Sequence, residues 1–101
     1  MTKSIQSDLD RISRRGRRVF KPGFTLYYGS LPYSPKPRIV ISSKIDKRSV
    51  VRHRIKRRIR HILQEVKPQN LGIVVIVNKQ ILDQDFPQLK SSLFSVVKSI
   101  V

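Results

Sequence analysis

Nine of the seventeen residues from Lys44 to Arg60 are basic, and six of those nine are arginines. The chemistry such a run can do is to grip phosphate. Planar guanidinium forks pair with phosphate oxygens two at a time and stack on bases. Wound as a helix, the run puts Arg52, His53, Lys56, Arg57 and Arg60 on one broad outer face. Arg54 and Arg58 border the apolar stripe from the other side. Like charges four apart (Arg52, Lys56 and Arg60; Arg54 and Arg58) repel, a cost that an anionic partner removes. A merely solvated helix face mixes signs, whereas this one has a single acid, Glu65, at its far end. The run reads as a nucleic-acid contact.

A second basic patch, Arg11, Arg14, Arg15, Arg17, Arg18 and Lys21, stands next to Tyr27 and Tyr28 in sequence. Rings on a sheet flanked by arginines suit single-stranded nucleic acid, whose bases stack on them. The other reading is that Phe24, Leu26 and Tyr28 face the core while Tyr27 is simply exposed.

Side-chain catalysis finds few parts. The acids Asp8, Asp10, Asp46, Glu65, Asp83 and Asp85 are scattered. Asp8 and Asp10 suit the first turn of a helix, and Asp83 and Asp85 suit a turn and a cap. His53 and His61 lie about 80° around a helix and roughly 12 Å along it from each other, too far for two ligands of one metal. The absence of cysteine excludes disulfides, thiolate zinc sites and thiol nucleophiles. No Gly-rich phosphate loop is present, because the four glycines are dispersed.

The elements that must position the basic run follow from periodicity. Val51, Ile55, Ile59, Ile62 and Val66 form one helical stripe over Ser49–Val66, with Leu63 at its edge, and Pro68 stops it. Leu71–Val77 is a continuous β-branched run, expected to be a strand buried on both faces. Phe86, Leu89, Leu93, Val97 and Ile100 line a last helix with Pro87 in its first turn. Upstream, Ser7 is expected to cap a short helix that breaks at Gly16. Strands are expected at 17–20, 24–28 and 38–42, with a three-proline loop over 29–37. The order α-β-β-β-α-β-α describes a small mixed sheet with helices against it, an α/β (α+β) two-layer sandwich.

One hundred and one residues build one core at most, so residues 1–101 are expected to form a single domain that binds nucleic acid. The net charge of +16 is uneven: residues 1–60 hold 18 basic and 3 acidic residues, and residues 61–101 hold 4 and 3. Hydrophobic residues at 39% argue for a folded domain rather than a basic tail. No apolar run approaches the roughly 18 residues of a membrane span, and the start lacks a signal peptide's apolar core. The expectation is a cytoplasmic protein with no membrane partner and no small-molecule substrate.

The stretch Arg52-His53-Arg54-Ile55-Lys56-Arg57-Arg58-Ile59-Arg60 resembles the signature helix of the protein subunit of bacterial ribonuclease P, which runs Arg-Asn-Arg-x-Lys-Arg-x-x-Arg. Ser43-Lys44 and Ser49-Val50 resemble the family's Ser-Lys-Lys and Ala-Val steps. Asp8-Leu9 followed by Gly16, and Phe24-Thr25-Leu26-Tyr27, are similar to its first helix and its aromatic strand. His53 replaces the signature asparagine, Ile45 the second lysine, and Lys47 the glycine that follows. Leu9 and Ser13 stand where the family's first helix often carries aromatics.

The resemblance implies a sandwich with a left-handed βαβ crossover around the basic helix. It also implies an endoribonuclease whose catalysis comes from a catalytic RNA subunit, which uses Mg²⁺ held mainly by RNA to cut the 5′ leader from precursor tRNA. By position, Lys44, Arg48, Arg52, His53, Arg54, Lys56, Arg57 and Arg60 would contact the catalytic RNA. Leu9, Ser13, Arg17 and Tyr27 would line the leader site. The alternative is a structural RNA-binding protein of ribosomal type, which explains the charge but not the ordered Arg52–Arg60 pattern. A DNA-bound basic helix would need an apolar zipper beyond Val66, and no heptad run continues there.

Overall fold

In the computed structural model, which describes the backbone of residues 2–100 and the side chains from Ser7, the basic run lies on the helix its periodicity requires. The elements are α1 (Thr2–Arg15), β1 (Arg17–Lys21), β2 (Phe24–Ser30), β3 (Arg38–Val40), α2 (Ser49–Val66), β4 (Leu71–Val77), a 3-10 turn (Lys79–Asp83) and α3 (Phe86–Ile100). The four strands form one sheet in the order β1-β2-β4-β3. β1 pairs with β2 and β2 with β4 antiparallel, while β3 runs parallel to β4 with α2 as the connection.

Alternation along the strands divides the core. Phe24, Leu26, Ile73, Val75 and Val77 point to one face, where α2 and α3 close a large apolar cluster through Ile59, Ile62, Leu63, Leu89, Leu93 and Val97. On the other face a smaller cluster, Leu9, Ile12, Leu31 and Val74, seats α1. β4 is thus buried on both sides. Gly72 lets α1 approach: a Cβ there would lie 2.4 Å from Ile12 Cδ1 and 2.9 Å from Leu31 Cδ1. The β1–β2 turn uses Gly23 at φ +96°, a region a side chain disfavours.

Three boundaries differ by two residues or more from those the residues suggest. α1 begins at Thr2, so Ser7 is inside it and caps nothing. No proline or glycine interrupts Thr2–Arg15, and the helix extends until Gly16 ends it. Asp8 and Asp10 therefore lie past the first turn. Asp8 accepts from Arg11 at 3.1 Å and from the Tyr33 hydroxyl. Asp10 pairs with Arg38. They fasten α1 to the segment after β2 instead of complementing a helix dipole. β2 continues to Ser30 because β4 still offers Gly72 and Leu71 as partners. β3 stops at Val40, where Ser42 folds the chain: its Oγ accepts from Lys44 N and its carbonyl from Ile45 N.

Leu63 is 1% exposed and central to the α2 stripe, whereas Val51, Ile55 and Val66 are half-buried. Burial concentrates in the second half of α2, so its first half stands clear of the core. α3 starts with a reciprocal cap: Gln88 N donates to Asp85 Oδ1 at 2.9 Å and Asp85 N to Gln88 Oε1 at 3.2 Å.

Candidate nucleic-acid interface

The outer face of α2 is held rigid by its inner one. Ile59 and Ile62 are fully buried, which fixes the helix's rotation and so the direction of every arginine on it. At its start, Arg48 donates to both Asp46 carboxylate oxygens, at 3.1 and 3.0 Å. The Arg48 guanidinium and backbone N–H bonds hold the Asp46 carboxyl down at about 2, below its usual 3.8. Arg52 Nη1 donates to the carbonyls of Asp46 and Lys47 at 2.7 and 3.0 Å. These contacts order the turn before α2 while most of the Arg48 side chain stays in solvent (75% exposed).

The other basic side chains on and beside α2 divide by partner. Arg58 lies over the Phe86 ring at 5.3 Å, turned towards α3. His61 and Lys90 share Glu65, at 3.5 and 3.6 Å. Arg54, Lys56, Arg57 and Arg60 form no ion pair among the described residues. Lys44, His53, Arg54, Arg57 and Arg60 are exposed, and Arg52 and Lys56 are half-buried. The outer side of α2 therefore carries exposed basic side chains. It presents unneutralised guanidinium and ammonium groups on a rigid support, the arrangement that binds a phosphate backbone.

The second patch is arranged differently from the sequence expectation. Tyr27 is half-buried against the small cluster beside α1, whereas Tyr28 packs on the large one. Arg17 pairs with Tyr28 and Arg18 with Tyr27, so Arg18, not Arg17, shares Tyr27's face. Leu9 is 4% exposed inside the small cluster, so it seats α1 and presents no surface to a ligand. Ser13 Oγ donates to the Asp10 carbonyl at 2.8 Å, a bond within α1. Of the four residues expected along a leader path, Tyr27 lies half-buried on the α1 side of the sheet and Arg17 on the other side. Counting back from the Pro22-Gly23 turn would have found Arg18, since in a hairpin directly opposed residues share a face.

Among the described residues, no group of three or more His, Cys, Asp or Glu side chains could hold a metal ion. None of the helices is long and apolar enough to cross a membrane.

The family model described as Ribonuclease P matches residues 4–101. The chain is 34% identical to the ribonuclease P protein component of Streptococcus agalactiae, over 96% of its own length and 93% of the relative's. It is 28% identical to that of Rickettsia typhi, covering 91% and 90%. Among solved structures, the RNase P protein of Staphylococcus aureus superposes with a TM-score of 0.80 at 28% identity, over 93% of this chain and 89% of that one. The Thermotoga maritima RNase P protein gives the same TM-score at 22% identity, over 93% and 94%, and so matches in fold. A ribosomal-type RNA-binding protein is thereby set aside. The chain belongs to the ribonuclease P protein family, the protein component of an endoribonuclease ribonucleoprotein that processes tRNA 5′ ends.

Proposed function

We propose that α2 docks on the catalytic RNA subunit through Lys44, Arg48, Arg52, His53, Arg54, Lys56, Arg57 and Arg60, and that the open sheet face beside Tyr27 takes the single-stranded 5′ leader of precursor tRNA. One observation carries the reading: a rigid helix presents Arg54, Lys56, Arg57 and Arg60 without a countercharge among the described residues. The +16 charge offsets repulsion between two polyanions and favours their close approach.

Hydrolysis of a phosphodiester needs a positioned water and stabilised charge on the attacking and leaving oxygens, which Mg²⁺ supplies when bound. Mg²⁺ prefers carboxylate and phosphate oxygens. The described residues offer no converging carboxylates, so the reading assigns Mg²⁺ to the RNA's phosphates and catalysis to the RNA. It places the protein in the cytoplasm, with the RNAs it serves.

Reconstitution tests this. The protein alone is expected to leave precursor tRNA uncut at every Mg²⁺ concentration. With its RNA it lowers both the Mg²⁺ requirement and the KM for leader-bearing substrate. Asp46→Asn and Glu65→Gln leave the chemical step within a few-fold of the unaltered protein. RNA-free cleavage that either substitution abolishes overturns the assignment.

A further inference from the structure

Phe20 is 66% exposed, the ring of an edge strand turned to solvent. The other phenylalanines behave as apolar residues should: Phe24 is fully buried, and Phe86 and Phe94 pack against the large cluster. Phe20 therefore adds little to the core. The sheet register puts it opposite Thr25 and diagonal to Tyr27, on the face that α1 covers mainly over β2 and β4. Diagonal neighbours of this kind stand roughly 7–8 Å apart. The Arg18 guanidinium, itself opposite Tyr27, lies 5.0 Å from the centre of the Phe20 ring. A cation braced on one side of a ring leaves the other side for a flat partner.

We propose that Phe20, braced by Arg18, is a second base-stacking station on this face, taking the leader nucleobase next to the one at Tyr27. The proposal rests on the leader reading of the sheet face. Two further observations choose the occupant. β1 (Arg-Arg-Val-Phe-Lys) carries three cations and no acid, so it attracts a phosphate backbone and repels a second copy of a +16 chain. Between Ser7 and Arg15, α1 contributes no aromatic residue, while Tyr33 donates its hydroxyl to Asp8. The rings this face offers a strand are Tyr27 and Phe20. Stacking tolerates every base but follows stacking strength, so Phe20 tunes preference for purines at one leader position.

The test uses ribonucleoprotein reconstituted with its RNA, and precursor tRNAs whose leaders lengthen one nucleotide at a time, each carrying 2-aminopurine at a single position. Phe20→Ala is expected to weaken binding about five- to tenfold once the leader reaches the second station, the low end for a base–aromatic stack. Mature tRNA and shorter leaders are unaffected. Phe20→Trp restores affinity, whereas Phe20→Leu keeps the bulk but loses the quenching of 2-aminopurine at that position. If Tyr27→Ala weakens leader binding and Phe20→Ala does not, the second station is wrong and the leader face stands. If neither variant changes the discrimination between precursor and mature tRNA, the leader face itself fails and Phe20 with it. A change in the sedimentation of free protein on Phe20→Ala, with leader affinity intact, makes the ring a self-association contact and overturns the proposal.

Discussion

The two faces of the sheet are cut from alternate residues of the same strands, yet they are built to opposite ends. On β4, Ile73, Val75 and Val77 meet α2 and α3 in a closed cluster. Their neighbours Gly72, Val74 and Ile76 face α1, where the buried residues among those described are Leu9, Ile12, Leu31 and Val74. The closed face spends its apolar area on fixing α2. The open face leaves Phe20 and Val40 in solvent, 66% and 43% exposed. One face gives a helix its orientation and the other keeps apolar side chains in solvent.

The largest expected effect tests this asymmetry. Leu93 is fully buried on the closed face, and Leu93→Ala is expected to cost towards the top of the ~2–5 kcal/mol range for such truncations. Leu9→Ala, in a small cluster that a shift of α1 can collapse, falls near the bottom of it. Urea denaturation measures both, and equal losses break the comparison.

An intermediate effect separates the two sides of α2 itself. Alanine at Arg54, Lys56, Arg57 or Arg60 is expected to change stability by less than about 0.5 kcal/mol. Each lowers the slope of log affinity against log salt for the RNA by roughly 0.7–0.9. Arg52→Ala lowers the slope and also costs stability, since its hydrogen bonds to the Asp46 and Lys47 carbonyls are lost. Unchanged slopes across the set remove α2 from the RNA interface.

The smallest effect is local and pH-dependent. Asp46 is held at about 2 rather than 3.8 by Arg48. A depressed carboxyl contributes above its unfolded value, so its contribution is complete above about pH 4 and is lost as pH falls to about 2. The Arg48 amide shift should titrate with a midpoint near 2, and Asp46→Asn should abolish that titration. A midpoint near the ordinary carboxyl value means the turn before α2 is not ordered by this pair.

What the sequence made legible was whatever repeats over one element. α2, β4 and α3 follow from their periods, and with them the outer arginine face. The roles of Asp8 and Asp10 were not legible, because their partners Tyr33 and Arg38 lie 25 and 28 residues away. Nothing local in Ser7-Asp8-Leu9-Asp10 distinguishes a dipole charge from a tie to a distant segment. The start of α1 was missed because a capping residue is a signal only where the helix really begins. Arg17 and Arg18 are a different case. Their assignment to faces needed only a two-residue count from the turn, so the information was present in the hairpin.

The place of β4 in the sheet has a consequence for how the protein is born. It lies between β2 and β3 yet follows both in the chain. The β1–β2 hairpin can form as it emerges, but β3 has no strand to lie beside until Leu71–Val77 has been made. Synthesis runs from the N-terminus at roughly 5–20 residues per second. For about one to three seconds, then, a nascent segment with 18 basic and 3 acidic residues hangs beside the ribosome, itself largely RNA, before the strand that shapes it arrives. Charge precedes shape in this chain: its basic run is complete before the strand that closes the sheet around it, and completion of β4 lets the two come together.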